Sequence, residues 1–420
     1  MRGTPTPRME SVVSDKPYTF TPPKNSRFWP WFVSTWLHFY LKAAWGLEKV
    51  DFTGLDHIRA SLEAGHGILL APNHCRLSDP MALGSLVRAL KQPYYIMGSA
   101  HAFRESRLQS WLLPRIGAFS INREGTDREA LKTAVDILAK AERPLVVFPE
   151  GVITRTNDRL ITLQDGVSFL ARSAAKQRAA ADPPGKVVIH PLALRYRFLG
   201  DVEKTLAAVL DRMEARLSWQ AQHGTPLRER VVRIGHALLA LKEIEYLGAA
   251  RTGPAPERLA ALMDSVLLPL EAQWLGPRAA AAAQDTVVMR VKNLRKALLP
   301  DLVSGGLNEE ERAQRWKNLF DLEVAQQMFH FPPDYLGEHP TPERLIETVE
   351  RYEEAFGQAP TIHRPMQLTI HAGPAIEVSP TRDKRAPSDP VMDQLAASLR
   401  SLLGIDAPAA TAAVPGSFSA

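Results

Sequence analysis

The sequence predicts an α/β protein: a largely parallel central sheet flanked by helices, with a long all-helical insertion before the last strand. Three observations predict it. Between residues 46 and 200, short apolar runs alternate with amphipathic stretches of helical period, the pattern of successive β–α units. From Asp201 to about Pro365 strand signals almost vanish. They return in Met366–Val378, which is expected to rejoin the sheet.

Residues 1–26 are polar with scattered prolines and are expected to form a disordered leader. Residues 27–45 hold four of the eight tryptophans. Pro30, Ser34, Thr35, His38 and Lys42 interrupt this run too often for a membrane span. Trp and Tyr prefer the membrane–water interface, so a helix lying in the headgroup region is one reading. A helix packed on the protein's own core is the other. Residues 46–200 then supply strands at Gly67–Pro72, Tyr94–Met97, Ala118–Ile121, Pro144–Phe148 and from Lys186. Helices are expected over Pro80–Leu90, Glu105–Pro114, Asp127–Ala141 and Gln164–Gln177. The block 201–365 reads as helices Thr205–Gln222, Arg228–Tyr246, Glu257–Trp274, Asn308–Met328 and Thr341–Phe356. Asn308 with Glu311 makes a capping box, and Thr341-Pro342 a helix start. A closing strand and helix fill 366–405, and 406–420 form an Ala/Pro/Ser-rich tail expected to be disordered.

With 45% hydrophobic and 23% charged residues, the 420-residue chain can bury a sizeable core. A net charge of +5 favours anionic partners such as phosphorylated small molecules or an anionic membrane surface. Basic residues are interleaved with acids rather than gathered into a patch, which argues against nucleic acid. Cys75 is the only cysteine, so an intramolecular disulfide and a cysteine-based zinc site are both excluded. No run of about 18 apolar residues marks a spanning helix, and residues 1–26 lack the pattern of a secretory signal.

Four stretches carry candidate chemistry. Asn73-His74-Cys75-Arg76-Leu77-Ser78-Asp79-Pro80 follows an apolar strand and precedes a helix. His74 is therefore on a strand-to-helix loop, with Asp79 five positions on as a candidate N-cap and Pro80 at the first helical position. A carboxylate folded back onto an imidazole fixes its tautomer and makes a general base; a solvent-facing His beside a capping Asp has the same local pattern. In Gly117–Gly125, Arg123 leaves a strand just before a helix N-terminus, a place suited to phosphate or to a surface ion pair. Phe148-Pro149-Glu150-Gly151 is a tight turn after a buried strand that could hold a headgroup or be structural. Ile189-His190-Pro191 is a strand-end proline without chemistry of its own.

In this order and spacing the four stretches resemble the glycerolipid acyltransferases, specifically the lysophosphatidate (1-acylglycerol-3-phosphate) acyltransferases. The resemblance covers roughly residues 45–200 and 367–378, the latter through Gly373-Pro374-Ala375-Ile376. It implies transfer of a fatty acyl group from acyl-CoA or acyl-carrier protein to a hydroxyl of a lysophospholipid or glycerol-phosphate-type acceptor, in phospholipid biosynthesis. His74 would be the base and Asp79 its orienting carboxylate. Asn73, Arg123, Phe148, Pro149, Glu150 and Gly151 would bind substrate. No metal or cofactor is required. A peripheral or monotopic place on the cytoplasmic face of a membrane, docked through the aromatic segment, also follows. Two departures stand out. After Gly151 the family usually continues Thr-Arg-Ser; here Val152-Ile153-Thr154 follows, and the nearest arginine is Arg155. Arg155 would substitute, or the acceptor differs. The helical insertion also has no counterpart in short members. A CoA-independent transacylase and a catalytically inactive lipid-binding scaffold are the alternatives. A Cys75 thiol nucleophile is disfavoured, because neighbours on a loop point apart.

Overall fold

The computed structural model describes residues 15–405 except 126, 277–285, 333, 383–384 and 386–387. The expected tail 406–420 and the first part of the expected leader lie outside the described residues.

Strand β1 (Leu47–Thr53) is followed by α2 (Leu55–Glu63), after an N-terminal α1 (Phe28–Trp45). Then come β2 (Gly67–Pro72), the short helices α3 (Asp79–Leu83) and α4 (Leu86–Leu90), and β3 (Tyr95–Ser99). Helix α5 (Arg107–Arg115), β4 (Ala118–Ile121), α6 (Arg128–Lys140), β5 (Leu145–Val146), α7 (Gly166–Ala179) and β6 (Val187–Phe198) complete this part. The helical block holds α8 (Val202–Arg216), α9 (Leu227–Leu247), α10 (Ala255–Trp274), α11 (Val287–Ser304), α12 (Glu309–Phe329) and α13 (Pro342–Ala355). The chain returns through β7 (Met366–Ala372), β8 (Ile376–Glu377) and α14 (Pro390–Leu403).

The sheet runs β1-β7-β6-β2-β5-β3-β4, with β8 beside β6. All pairings are parallel except β6 with β7 and β8. β2 is central and wholly buried, as a strand covered on both faces must be. The late strand does rejoin the sheet: β7 enters between β1 and β6. Helices α6, α7 and α14 cover one face through Leu138, Leu170 and Leu395. Helices α1 to α4 cover the other.

Three departures from the sequence reading have physical reasons. Residues 16–26, expected to lack structure, run along the edge strand β4. Ser120 N–H donates to Thr21 O at 3.1 Å and Ser120 Oγ accepts from Thr21 N at 2.8 Å. Phe20 packs on Phe119. The segment covers a sheet edge that would otherwise offer unpaired backbone groups. The expected helix Pro80–Leu90 is broken at Gly84-Ser85, where Leu37 of α1 packs so closely on Gly84 that a Cβ would clash. The insertion is not one body: Leu206 and Leu210 of α8, Ile234 of α9 and Ile346 and Val349 of α13 join the sheet's core. Helices α10, α11 and α12 bury their own cluster around Leu267, Leu294, Leu298 and Leu322. Helix α11 falls in the expected helical insertion, in a stretch where the sequence periodicity marks no separate helix. The capping box is present, with Glu311 N–H donating to Asn308 Oδ1 at 2.9 Å and Asn308 N–H to Glu311 Oε2 at 3.0 Å. Thr341 caps α13 as expected.

Candidate active site

The loop leaving β2 folds tightly because its polar groups find partners on β6 and on the turn that follows β5. Asn73 bridges to β6: its Oδ1 accepts from Leu194 N–H at 2.7 Å and its amide donates to Leu194 O at 3.2 Å. Both ends of the side chain are used and it is buried. Asn73 therefore positions the loop against β6.

His74 Nδ1 lies 2.9 Å from Asp79 Oδ2. An ionised carboxylate only accepts, so Nδ1 carries the proton and Nε2 is the nitrogen left to meet a substrate. The ring stacks on Phe148, centroids 3.9 Å apart, and keeps 13% of its side-chain surface exposed. Backbone bonds lock the residue: His74 N–H donates to Glu150 Oε1 at 2.7 Å, and His74 O accepts from Thr154 N–H at 2.8 Å and Thr154 Oγ1 at 3.1 Å.

Asp79 is fully buried. Its Oδ2 also accepts from Arg76 N–H at 2.9 Å and its Oδ1 from the Tyr196 hydroxyl at 2.6 Å. Four donors thus hold one carboxylate, counting the Cys75 thiol at 3.9 Å. Asp79 is the first helical residue rather than the N-cap; Ser78 occupies the cap and its hydroxyl lies 3.0 Å from Tyr196 Oη. The carboxylate turns back to His74 and Arg76 N–H, as an oxygen that served the helix's own amides could not.

Glu150 is a strut between the loop after β2 and its own turn. It is buried, and its second oxygen accepts from Ile161 N–H at 3.3 Å. Burial pushes its pKa up to about 8, against the opposing hydrogen bonds from His74 and Ile161 N–H. Gly151 has φ +70°, and a Cβ there would meet the Gln164 amide; Gln164 N–H donates to Pro149 O at 2.8 Å. Pro149 thus helps to fix the turn, and Phe148 backs the imidazole. Cys75 is buried, and burial raises its thiol pKa well above the ordinary value, which removes the thiolate a nucleophile needs.

Arg123 leaves β4 just before α6, whose N-cap Asp127 accepts from Ala130 N–H at 3.0 Å. Burial lowers the guanidinium's pKa; Glu124 opposes this and Arg295 of α11 adds to it. Arg295 itself pairs with Glu323 at 2.7 Å and approaches Glu124 at 3.9 Å. The insertion therefore reaches the Arg123 loop. Arg155 has φ +57° and its guanidinium is held by Glu354 of α13.

Tyr196 and Thr154 are the residues that sequence reasoning missed. Neither carries a local signal: Tyr196 is 117 positions from Asp79 and reads as one more strand aromatic. His190, flagged in the fourth stretch, is a satisfied core residue bonded to Ser61 Oγ and Gly373 O, each at 2.9 Å.

The comparisons with known proteins fall on this same region. The Acyltransferase family model matches residues 49–195. Residues 49–195 form an acyltransferase domain. The 1-acyl-sn-glycerol-3-phosphate acyltransferase of Streptococcus pneumoniae (strain ATCC BAA-255 / R6) is 28% identical over 130 residues, 31% of this chain and 46% of that protein. The chain thus spans about half the length of this curated relative. The acyltransferase domain contains the His74–Asp79 pair, the Arg123 loop and the Glu150 turn, whereas α8 to α14 lie outside the match.

Proposed function

We propose that the protein is an O-acyltransferase that moves a fatty acyl group from a thioester, acyl-CoA or acyl-carrier protein, to a hydroxyl of a lysophospholipid or glycerol-phosphate-type acceptor in phospholipid biosynthesis. The observation that carries this reading is the His74–Asp79 pair at 2.9 Å, with its carboxylate held by buried donors. Nε2 of His74 takes the acceptor's hydroxyl proton as the oxygen attacks the thioester carbonyl. The C–S bond then breaks, and the departing thiolate takes the proton back from the imidazolium. Asp79 keeps the tautomer and stabilises the imidazolium. A positioned base of this kind contributes roughly 10²–10⁴-fold in rate. Arg123, a partly desolvated cation beside a helix N-terminus, would receive an acceptor phosphate.

The acceptor's place is a bilayer surface. Helix α1 buries Pro30, Ser34, Leu37 and Leu41 on the core and turns Phe28, Phe32, Trp36, Phe39 and Tyr40 outward. One face of the helix thus packs on the core, and the opposite, aromatic face would lie in the headgroup region. Trp29 meets Trp111 of α5, centroids 4.9 Å apart, so exposed Trp111 and Leu108 extend the patch. Among the described residues no helix is long and apolar enough to cross a membrane, which suits interfacial docking.

The test is thiol release by the purified protein with acyl-CoA, then acyl-carrier protein, and a panel of lysophospholipid acceptors. Acceptor-dependent release that disappears in His74→Ala is expected. Acyl transfer between phospholipids without a thioester would favour the transacylase; membrane binding with equal inactivity in both proteins would favour a scaffold.

A further inference from the structure

The insertion meets the acyltransferase domain at the Arg123 loop, and the meeting face of α11 is basic. Lys292, Arg295 and Lys296 are three and four positions apart and so share one side of the helix. Arg295 pairs with Glu323 of α12 at 2.7 Å and approaches Glu124, the residue after Arg123, at 3.9 Å. Arg123 and Lys292 are left over. Among the described residues neither has a hydrogen-bond or ion-pair partner. Both are partly exposed, and none of their nitrogens is sealed from solvent.

These groups feel one another's charge. Burial lowers the Lys292 pKa, Lys296 and Arg123 lower it further, and Glu124 opposes them. Like charges partly withdrawn from water repel more strongly than in bulk solvent. Four cations, Arg123, Lys292, Arg295 and Lys296, here face two carboxylates, Glu124 and Glu323. Elsewhere in the insertion buried cations are fully matched: Arg230 by Asp211 and Glu214, Arg290 by Asp264 and Glu271. An excess of two positive charges, kept on reachable groups, is what a dianion neutralises. A guanidinium fork beside a point-like ammonium suits phosphate.

The place suits a substrate. Strands β2, β5, β3 and β4 are parallel neighbours, so the loops carrying His74 and Arg123 leave the same edge of the sheet, where open α/β sheets bind ligands. Three inter-strand spacings, about 14 Å, separate β2 from β4. A phosphate held at Arg123 can therefore belong to the acceptor or to the thioester donor.

We propose that Lys292 of α11 completes the Arg123 site, so that the insertion and the acyltransferase domain together hold one phosphate monoester dianion of a substrate. Its use in acyl transfer rests on the acyltransferase reading; the affinity for phosphate belongs to the two cations.

The experiment is calorimetric titration of the full chain with glycerol 3-phosphate, and with glycerol as the uncharged probe. Wild type should bind glycerol 3-phosphate and not glycerol. Lys292→Gln keeps most of the side chain's reach and removes its charge, so glycerol 3-phosphate should bind roughly tenfold more weakly. Lys292→Arg should restore most of the affinity. Lys317→Gln removes one charge from an exposed lysine of α12 and should leave binding unchanged, which separates a local contact from an effect of net charge. No binding by wild type, equal binding by wild type and Lys292→Gln, or an equal loss in Lys317→Gln would each overturn the proposal. Steady-state thiol release on the same preparations identifies the substrate. A KM raised by Lys292→Gln for a lysophosphatidate acceptor alone assigns the acceptor's phosphate; a KM raised for acyl-CoA alone assigns the donor's. Lysine-dependent phosphate binding without any thiol release would remove the enzyme reading and leave the site standing, and thiol release without phosphate binding would do the reverse.

Discussion

A hydroxyl 117 positions away from Asp79 in sequence decides how firmly the base is held. Tyr196→Phe removes the 2.6 Å bond to Asp79 Oδ1 and leaves the carboxylate buried with one oxygen short of its donor. A hydrogen bond to a charged group is worth about 1.5–3 kcal/mol. We expect kcat to fall about tenfold with KM almost unchanged, because Tyr196 acts through Asp79 and the loss is then about 1.4 kcal/mol in the transition state. Steady-state kinetics on a thiol-release assay checks this; a raised KM with unchanged kcat would show that Tyr196 serves binding instead. Glu150 makes a second prediction at this scale. Its folded pKa, about 8, lies above the ordinary carboxyl value of 4.5. The folded state therefore binds the extra proton, and the stabilisation is complete below the unfolded pKa and is lost as pH rises toward 8. Glu150→Gln, which cannot titrate, should flatten the decline in thermal stability between those values. An unchanged pH profile of Tm would show that the carboxyl is ionised throughout.

At the scale of the element, α1 separates two jobs by face. Leu41 is buried against the core and Trp36 is 60% exposed. Leu41→Ala should cost about 2–5 kcal/mol in denaturant unfolding, the usual range for a buried leucine. Trp36→Ser should leave stability within about 0.5 kcal/mol. In vesicle sedimentation the same Trp36→Ser should reduce binding about tenfold, as burial of one large side chain predicts. Equal vesicle binding by wild type and Trp36→Ser would place the bilayer contact elsewhere. The loop after β2 follows a similar logic. A fully buried strand delivers His74 to its end, and Glu150 and Thr154 from the neighbouring turn grip its backbone. The base is thereby aimed by elements adjacent in the sheet rather than in the chain.

At the scale of the whole molecule, the insertion divides between two cores. Helices α8 and α13 share the core of the sheet, while α10, α11 and α12 pack on each other. A separate core can open as its own cooperative unit. Leu294→Ala, at a fully buried site of the second cluster, should cost about 2–5 kcal/mol there. By hydrogen exchange, the amides of α10 to α12 should lose protection while those of β2 and β6 keep theirs. Uniform loss across both cores would show a single cooperative unit.

Much of this was legible in the sequence. The alternation of apolar runs and amphipathic stretches determined the α/β class, because strand and helix periods are local. The His74–Asp79 pair was legible for the same reason, since five residues of loop suffice to bring them together. Return of the chain to the sheet at Met366 was equally visible. What only the tertiary structure decided depends on which distant groups meet. Asn73 and Glu150 read as ligands of the substrate, yet strand pairing sets their polar atoms against Leu194, His74 and Ile161 backbone. Arg155 read as a substitute for a phosphate-binding arginine, yet α13, docked on the core through Ile346 and Val349, brings Glu354 to it. Residue type and spacing specify what a side chain can do. Its partners, and so its role, come from packing contacts between segments as far as 199 positions apart, which carry no local pattern.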